Sequence, residues 1–288
     1  QDNIQSLACL IQEMLLSSPV PADRIHSIGL AVPGVIDSEH RALTAHRVYR
    51  WFNCPVAADL AALTGWDKPI VVENNGCARA YGIRMLRRRE FKQVKQYVYL
   101  FVSHGLSCPL IPCEASDVGE ALGIGEIGYM ILQADDALAS GGAAGYNSDL
   151  AGERAIMDRC HQMLREGKAP TLLKVCGSVV RPTIPQILQA QQEGDETVNL
   201  ILEKAIRYLA LALANVCNFV EPGMIFVESR LFSSPENQQC LTDTVSRYLV
   251  APHKSQPAFV FVEADHWNGS RCAALCAVRR ELNQFEEG

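Results

Sequence analysis

Two valines run into Glu73-Asn74-Asn75, and Gly76 follows. A strand ending this way presents one carboxylate and two amides beyond its last apolar residue. Such groups hydrogen-bond hydroxyls, so a polyol ligand lies within their chemistry. An amide has no useful proton affinity near neutral pH, so Asn75 can orient a hydroxyl but cannot deprotonate it. Gly125-Glu-Ile-Gly-Tyr129 adds a carboxylate, Glu126, and a phenol, Tyr129. His104 in Ser103-His104-Gly105 could pair with Glu126 as an acid–base couple, although a lone histidine in a turn is more often a tolerated loop residue. Cys272 and Cys276 are four apart and fit the stripe of a helix better than a metal site.

These residues need elements to hold them. Ile4, Leu7, Ala8, Leu10, Ile11, Met14 and Leu15 recur at helical spacing, up to Ser17-Ser18-Pro19. Ile28 to Val32 reads as a buried strand ending at Pro33-Gly34. A short helix over 57–64, a strand over 70–72 and a helix over 76–88 follow. Apolar strands alternating with helices imply a mostly parallel sheet covered by helices. The run 97–103 opens a second α/β region, with a hairpin partner over 106–112 weakened by Pro109 and Pro112. Helices over 151–166 and 198–220, a strand over 224–228, a helix near 238–249, a strand over 259–263 and a closing helix over 270–285 complete it. The expected division is therefore a smaller lobe of residues 1–94 plus 266–288 and a larger lobe of 95–265. Ligands in such sheets bind beyond the carboxyl ends of strands, which would gather Pro33-Gly34, Glu73-Asn74-Asn75 and Ser103-His104-Gly105 around one cleft.

Composition narrows the class. The 288 residues are 48% hydrophobic and carry a net charge of −6, which argues against a broad nucleic-acid surface. One basic cluster stands out, Arg84, Arg87, Arg88, Arg89, Lys92 and Lys95, which reads first as a solvated helix end and second as a partner site. No apolar run approaches the ~18 residues of a membrane helix. Eleven cysteines, odd in number and irregularly spaced, read as reduced and mostly buried thiols, with the cytoplasm as the expected compartment.

The order of motifs resembles the ROK family of sugar kinases and sugar-responsive repressors. The resemblance rests on Gly29-Leu-Ala-Val-Pro-Gly34, Trp51-Phe-Asn-Cys-Pro55, Val72-Glu-Asn-Asn75, Gly125-Glu-Ile-Gly-Tyr129, Ala214-Asn215 and Val220-Glu-Pro222. It implies an α/β, two-lobed actin-like (ribonuclease H-like) ATPase fold. It also implies that Gly34, Asn74 and Glu126 line a sugar pocket, with Asn75 and Tyr129 at the family's catalytic aspartate and histidine positions. The next sugar-contacting glutamate aligns poorly, leaving Asn147 or Asp149 as nearest polar candidates. His46 and Trp51 flank a loop near the presumed sugar entrance, where Trp51 reads equally as a lid or a core residue.

The departures from the family pattern are as informative as the matches. Kinases of the family end the strand in Glu-Asn-Asp, and the aspartate takes the proton of the sugar hydroxyl. Their glycine-rich phosphate turn is here Ser103-His-Gly-Leu-Ser-Cys-Pro109, with a single glycine and a proline that removes a donor. A later glycine cluster is Glu228-Ser229-Arg230. The zinc-binding histidine is Tyr129, and the cysteine segment is replaced over 139–145. The expectation is a sugar-responsive domain of a ROK-type regulator resembling the N-acetylglucosamine-repressor type. It would have no catalytic residue, no zinc and no ATP, and would bind a sugar as a homo-oligomer, dimer or tetramer. The family's first hairpin is absent from the chain, and DNA would be met only through an upstream segment. The alternative is a diverged ROK kinase acting on a hexose or amino-hexose.

Overall fold

The computed structural model describes residues 2–37, 40, 42–45, 51–113, 125–139, 144–250 and 256–287. The chain falls into two compact units. One consists of Gln1–Gln93, Ile111–Ile124 and Asp265–Gly288, the other of Val94–Leu110 and Gly125–Ala264.

The first unit opens with α1 (Asp2–Ser17), which buries Ile4, Ala8 and Ile11 at helical spacing. β1 (Ile28–Val32), β2 (Val35–Ile36), β3 (Ala42–Ala45), β4 (Trp51–Cys54), α2 (Val56–Thr64), β5 (Ile70–Asn74) and α3 (Asn75–Leu86) follow. β1 and β5 pair in parallel, with Val32 opposite Asn74, and no third strand joins them among the described residues. That register sets the Pro33-Gly34 turn beside the polar end of β5. β2, β3 and β4 form a separate antiparallel sheet, which the sequence pattern did not suggest. Trp51 is 6% exposed and belongs to the core of this unit, so it is no lid.

The second unit contains β6 (Gln96–Val102), β7 (Leu106–Ser107), the first residue of β8 (Leu110–Pro112), α4 (Ala134–Ala139), α5 (Asn147–Ala151), α6 (Glu153–Arg165), α7 (Pro170–Cys176), α8 (Ile184–Gln192), α9 (Glu196–Val220), β9 (Met224–Glu228), α10 (Pro235–Tyr248) and β10 (Ala258–Val262). Its sheet runs β10-β9-β6-β7, with β8 also on β6; β6, β9 and β10 are parallel, so Phe101, Glu228 and Val262 end in line. α9 buries Leu202, Ala205, Ile206, Leu209, Ala210, Leu213 and Ala214 in the core of this unit. The helix expected over 151–166 is α6, which starts two residues later after the extended backbone of Gly152; α5 before it was not foreseen. α7 and α8 were not foreseen.

α11 (Asn268–Glu287) returns to the first unit. It lies directly on β1: a Cβ added at Gly29 would stand 2.1 Å from the Ala273 carbonyl oxygen. The segment beginning at Ile111 also belongs here rather than in the second lobe as the sequence suggested. Arg84 of α3 accounts for it, donating to the carbonyls of Pro112 and Cys113. No helix among the described residues is long and apolar enough to cross a membrane, and all eleven cysteines are free thiols.

Lys68 fastens the turn before β1 to the entrance of β5. Its ammonium donates to the carbonyls of Ala22 (3.0 Å), Asp23 (2.9 Å) and Ile25 (2.5 Å), and sits 5.2 Å above the Trp66 ring. Hydrogen bonds to a charged group are worth more than neutral ones. Lys68→Met therefore lowers unfolding free energy by roughly 2 kcal/mol, measured by urea denaturation. A loss below a few tenths of a kcal/mol would show that these bonds are solvated surface contacts.

Candidate functional site

In the first unit the site is built around Asn74. It is 1% exposed and is the N-cap of α3. Its Oδ1 accepts from the amides of Gly76 (2.8 Å) and Cys77 (3.1 Å), and its Nδ2 donates to the Gly34 carbonyl at 2.8 Å. Of the two acceptor and two donor capacities of an asparagine amide, one N–H remains. Asn74, expected to face a sugar, also ties the β1–β2 turn to the first turn of a helix, with that one N–H left over. Gly34 completes the tie with φ 103°, a left-handed conformation that a side chain would strain. Asn75 is different. It is half-buried at the first position of α3, and its side chain has no hydrogen-bond partner among the described residues. Thus the structure brings Gly34 and Asn74 together and leaves Asn75 as the unengaged amide beside them.

Glu73 looks the other way. Its Oε1 accepts from the Asn74 amide at 2.8 Å. Burial pushes its carboxyl from the ordinary 4.5 up to about 6, against the opposing pull of the Asn74 amide and of Arg280 in α11. Sequence reasoning did not find its neighbour His40. The His40 ring reaches the backbone of Val72, with Nδ1 3.0 Å from the carbonyl, while Arg280 donates to Nε2. A donor on Nε2 places the ring proton on Nδ1, so His40 is neutral and gives its proton to Val72. Its pKa is lowered, first by burial and then by Arg280, while Val72 and Asp37 pull upward.

In the second unit, Gly125 to Tyr129 forms a tight turn held between β7 and α5. Gly125 has φ 63°, and a Cβ there would lie 2.0 Å from the Cys108 carbonyl carbon; the Gly125 carbonyl accepts from the Cys108 amide. The far side is fixed by Asn147, fully buried, whose amide nitrogen donates to Met130 and whose side chain donates to the Ile127 carbonyl. Asn147 is thus a scaffold for the turn. Glu126 caps this turn in position but not by a hydrogen bond, and its carboxylate has no partner among the described residues. Burial alone raises its pKa. A half-buried carboxylate with no partner in the protein is open to donors from a ligand or from solvent. Tyr129 is 41% exposed and packs edge-on against Tyr146, ring centroids 6.0 Å apart. His104 is exposed and forms no bond to Glu126. Asp149 is half-buried and its carbonyl accepts from Arg159. His46 and most of the 139–145 segment lie outside the described residues.

The carboxyl ends of β6 and β9 hold a network that the sequence showed only in part. Glu228 is 1% exposed and accepts from the Tyr99 hydroxyl at 2.6 Å. Ser229 accepts from the Leu231 amide and donates to Glu153 at 3.3 Å. Burial raises the Glu153 pKa, opposed by Ser229 and Arg230. In the neighbouring β6–β7 turn the Ser103 amide bonds to the Gly105 carbonyl and the Ser103 carbonyl accepts from Glu153. The residues here are carboxylates and hydroxyls already satisfied by one another, a poor cradle for a polyphosphate. No group of three or more His, Cys, Asp or Glu residues among the described ones could hold a metal ion.

The ROK family model matches residues 2–279. The chain belongs to the ROK family. Similar proteins of known role are of two kinds. A xylose repressor from Caldicellulosiruptor bescii is 24% identical over 77% of this chain and 54% of its own length. An Escherichia coli N-acetyl-D-glucosamine kinase is 24% identical over 78% of this chain and 71% of the kinase. The chain spans little more than half the length of the repressors it matches. Among solved structures, a ROK glucokinase from Streptomyces griseus, in complex with glucose and AMPPNP, has TM-score 0.76 at 19% identity, covering 96% of this chain and 88% of that one. A ROK transcriptional regulator homologous to the E. coli MLC protein has TM-score 0.70 at 20% identity, covering 96% and 68%. The fold is accordingly the α/β actin-like ATPase fold of these proteins.

The elevated pKa of Glu73 gives a pH signature. A carboxyl that binds its proton more tightly when folded adds stability below pH 4.5, and that contribution is lost as pH rises through about 6. Glu73→Gln keeps an acceptor for the Asn74 amide without the charge. It should raise the midpoint of thermal unfolding at pH 8, by up to about 2 kcal/mol in free energy, with the advantage fading toward pH 4.5. His40 changes stability in the opposite direction over a similar range but is common to both proteins. A difference that stays constant with pH would mean that Glu73 ionises normally.

Proposed function

We propose that the chain is the sugar-responsive effector-binding and oligomerisation part of a ROK-type transcriptional regulator, without kinase activity. The observation that carries this reading is Asn75, an unengaged amide at the strand end where phosphoryl transfer to a sugar hydroxyl requires a base. Glu73 does not replace the missing base, because its carboxylate is turned to the Asn74 amide and the Arg280 side. The second support is two separate pairs, Tyr99 on Glu228 and Ser229 on Glu153, buried carboxylates where a polyphosphate would need donors. The third is the similarity to xylose repressors.

On this reading the unengaged amide of Asn75 receives a sugar hydroxyl, Glu126 within its own unit is a further candidate acceptor, and the sugar binds one conformational state better than another. Such a difference in affinity is all that a population shift requires. An attached DNA-binding segment, or an interface between copies of the chain, reads the shift. The second reading, a diverged ROK kinase for a hexose or amino-hexose, draws on the likeness to N-acetyl-D-glucosamine kinase.

Calorimetry with pentoses (xylose first), hexoses and amino-hexoses, beside a coupled ATP assay, separates the two. Heat of binding without ATP turnover is expected; turnover with any sugar would overthrow the regulator reading. Glu126→Ala should weaken sugar binding by roughly 10- to 100-fold, the loss of hydrogen bonds to a charged group. Unchanged affinity would remove Glu126 from the site. Asn75→Asp restores a carboxylate but should yield no ATP-dependent phosphorylation, because the phosphate-binding groups are still lacking.

A further inference from the structure

α3 ends at Leu86, and the chain continues into a short 3-10 turn over Arg88–Phe91. Phe91 is 7% exposed and pins this turn to the first unit. Arg88, Arg89 and Lys92 around it are exposed, and none has an ion-pair or hydrogen-bond partner among the described residues. The surrounding cations differ. Arg87 pairs with Glu90 at 3.5 Å, and Arg84 is engaged with the carbonyls of Pro112 and Cys113. Those two are enough to answer the negative end of the α3 dipole. Arg88, Arg89 and Lys92 are thus three cations without a partner among the described residues on one turn of a chain whose net charge is −6; Lys95 is exposed and unpartnered as well but falls in the second unit.

We infer that this turn is a contact for the sugar–phosphate backbone of duplex DNA. The inference rests on the regulator reading and deepens it. Two of the three cations are arginines, whose planar forks match phosphate oxygens in pairs. Phe91 fixes the backbone that carries them, so less freedom is lost on contact than from a mobile tail. The contact carries no sequence information: it positions the effector domain and adds to affinity.

The test is anisotropy of a labelled duplex of arbitrary sequence, about 30 base pairs, titrated with the chain from low to physiological salt. Each phosphate neutralised contributes about 0.9 to the slope of log affinity against log salt, so the wild-type slope should approach about −2 to −3. The triple variant Arg88→Gln/Arg89→Gln/Lys92→Gln should lose most of that slope, and Arg88→Gln/Arg89→Gln about two thirds of it. Replacing Arg165, Lys204 and Arg247 of the second unit by Gln should leave it unchanged. Equal slopes for the wild type and the triple variant, or no duplex binding at the lowest salt, would overturn the inference. So would binding of polyglutamate as tight as that of DNA, which would mark an acidic-protein surface. Sugar calorimetry on the triple variant keeps the two ideas apart: the regulator reading fails if the wild type takes no sugar, the DNA contact fails if the slope persists.

Discussion

The amide of Asn74 is the constraint on which the arrangement of the first unit depends. Three hydrogen bonds from one side chain join the end of β5, the start of α3 and the turn after β1. An N-cap of this kind is worth about 1 kcal/mol, and a buried amide left unpaired would cost more. The parallel register that sets Val32 opposite Asn74 delivers Gly34 to within reach, and the left-handed φ of Gly34 turns its carbonyl inward. Only with these three segments fixed does Asn75 hold a defined direction. The residue that orders the site is therefore adjacent to the residue left open for a ligand.

The two units treat their strand ends differently. Beyond β5 an amide is left unengaged, and in the second unit the turn carrying Glu126 leaves a carboxylate unengaged. At the ends of β6 and β9 the carboxylates are instead satisfied by a phenol and a hydroxyl of the protein itself. Asn75 and Glu126 are half-buried, so a ligand bound there would replace solvent and break no bond within the protein. Where the protein does supply partners, an entering ligand must break bonds that already exist. On the proposed reading this contrast is what would let the chain hold a sugar without using a nucleotide.

Most of the strands and long helices were legible, α9 because it buries one face at helical period and β5 because its apolar residues form a continuous buried run. The antiparallel β2–β3–β4 sheet was not, since strands of two to four residues carry too little alternation to register. α5 was missed because five residues are too few to show a helical period. The candidate site was legible as residue types at strand ends, but the division of labour within it was not. Asn74 and Asn75 are the same residue type side by side, and only three-dimensional partners distinguish a cap from a free amide. The bonds from Tyr99 to Glu228 and from Ser229 to Glu153 join residues 129 and 76 positions apart, beyond any local pattern.

His40 stands where a further strand would otherwise adjoin β5. An imidazole nitrogen is either a donor or an acceptor, so it can serve the carbonyl or the amide of Val72, never both together. Both groups lie within reach of Nδ1, at 3.0 and 3.1 Å. The choice is made from the other side of the ring, by the guanidinium of Arg280 on α11. A helix near the end of the chain thus dictates, through one tautomer, which backbone group of the central strand is answered two residues before Asn74.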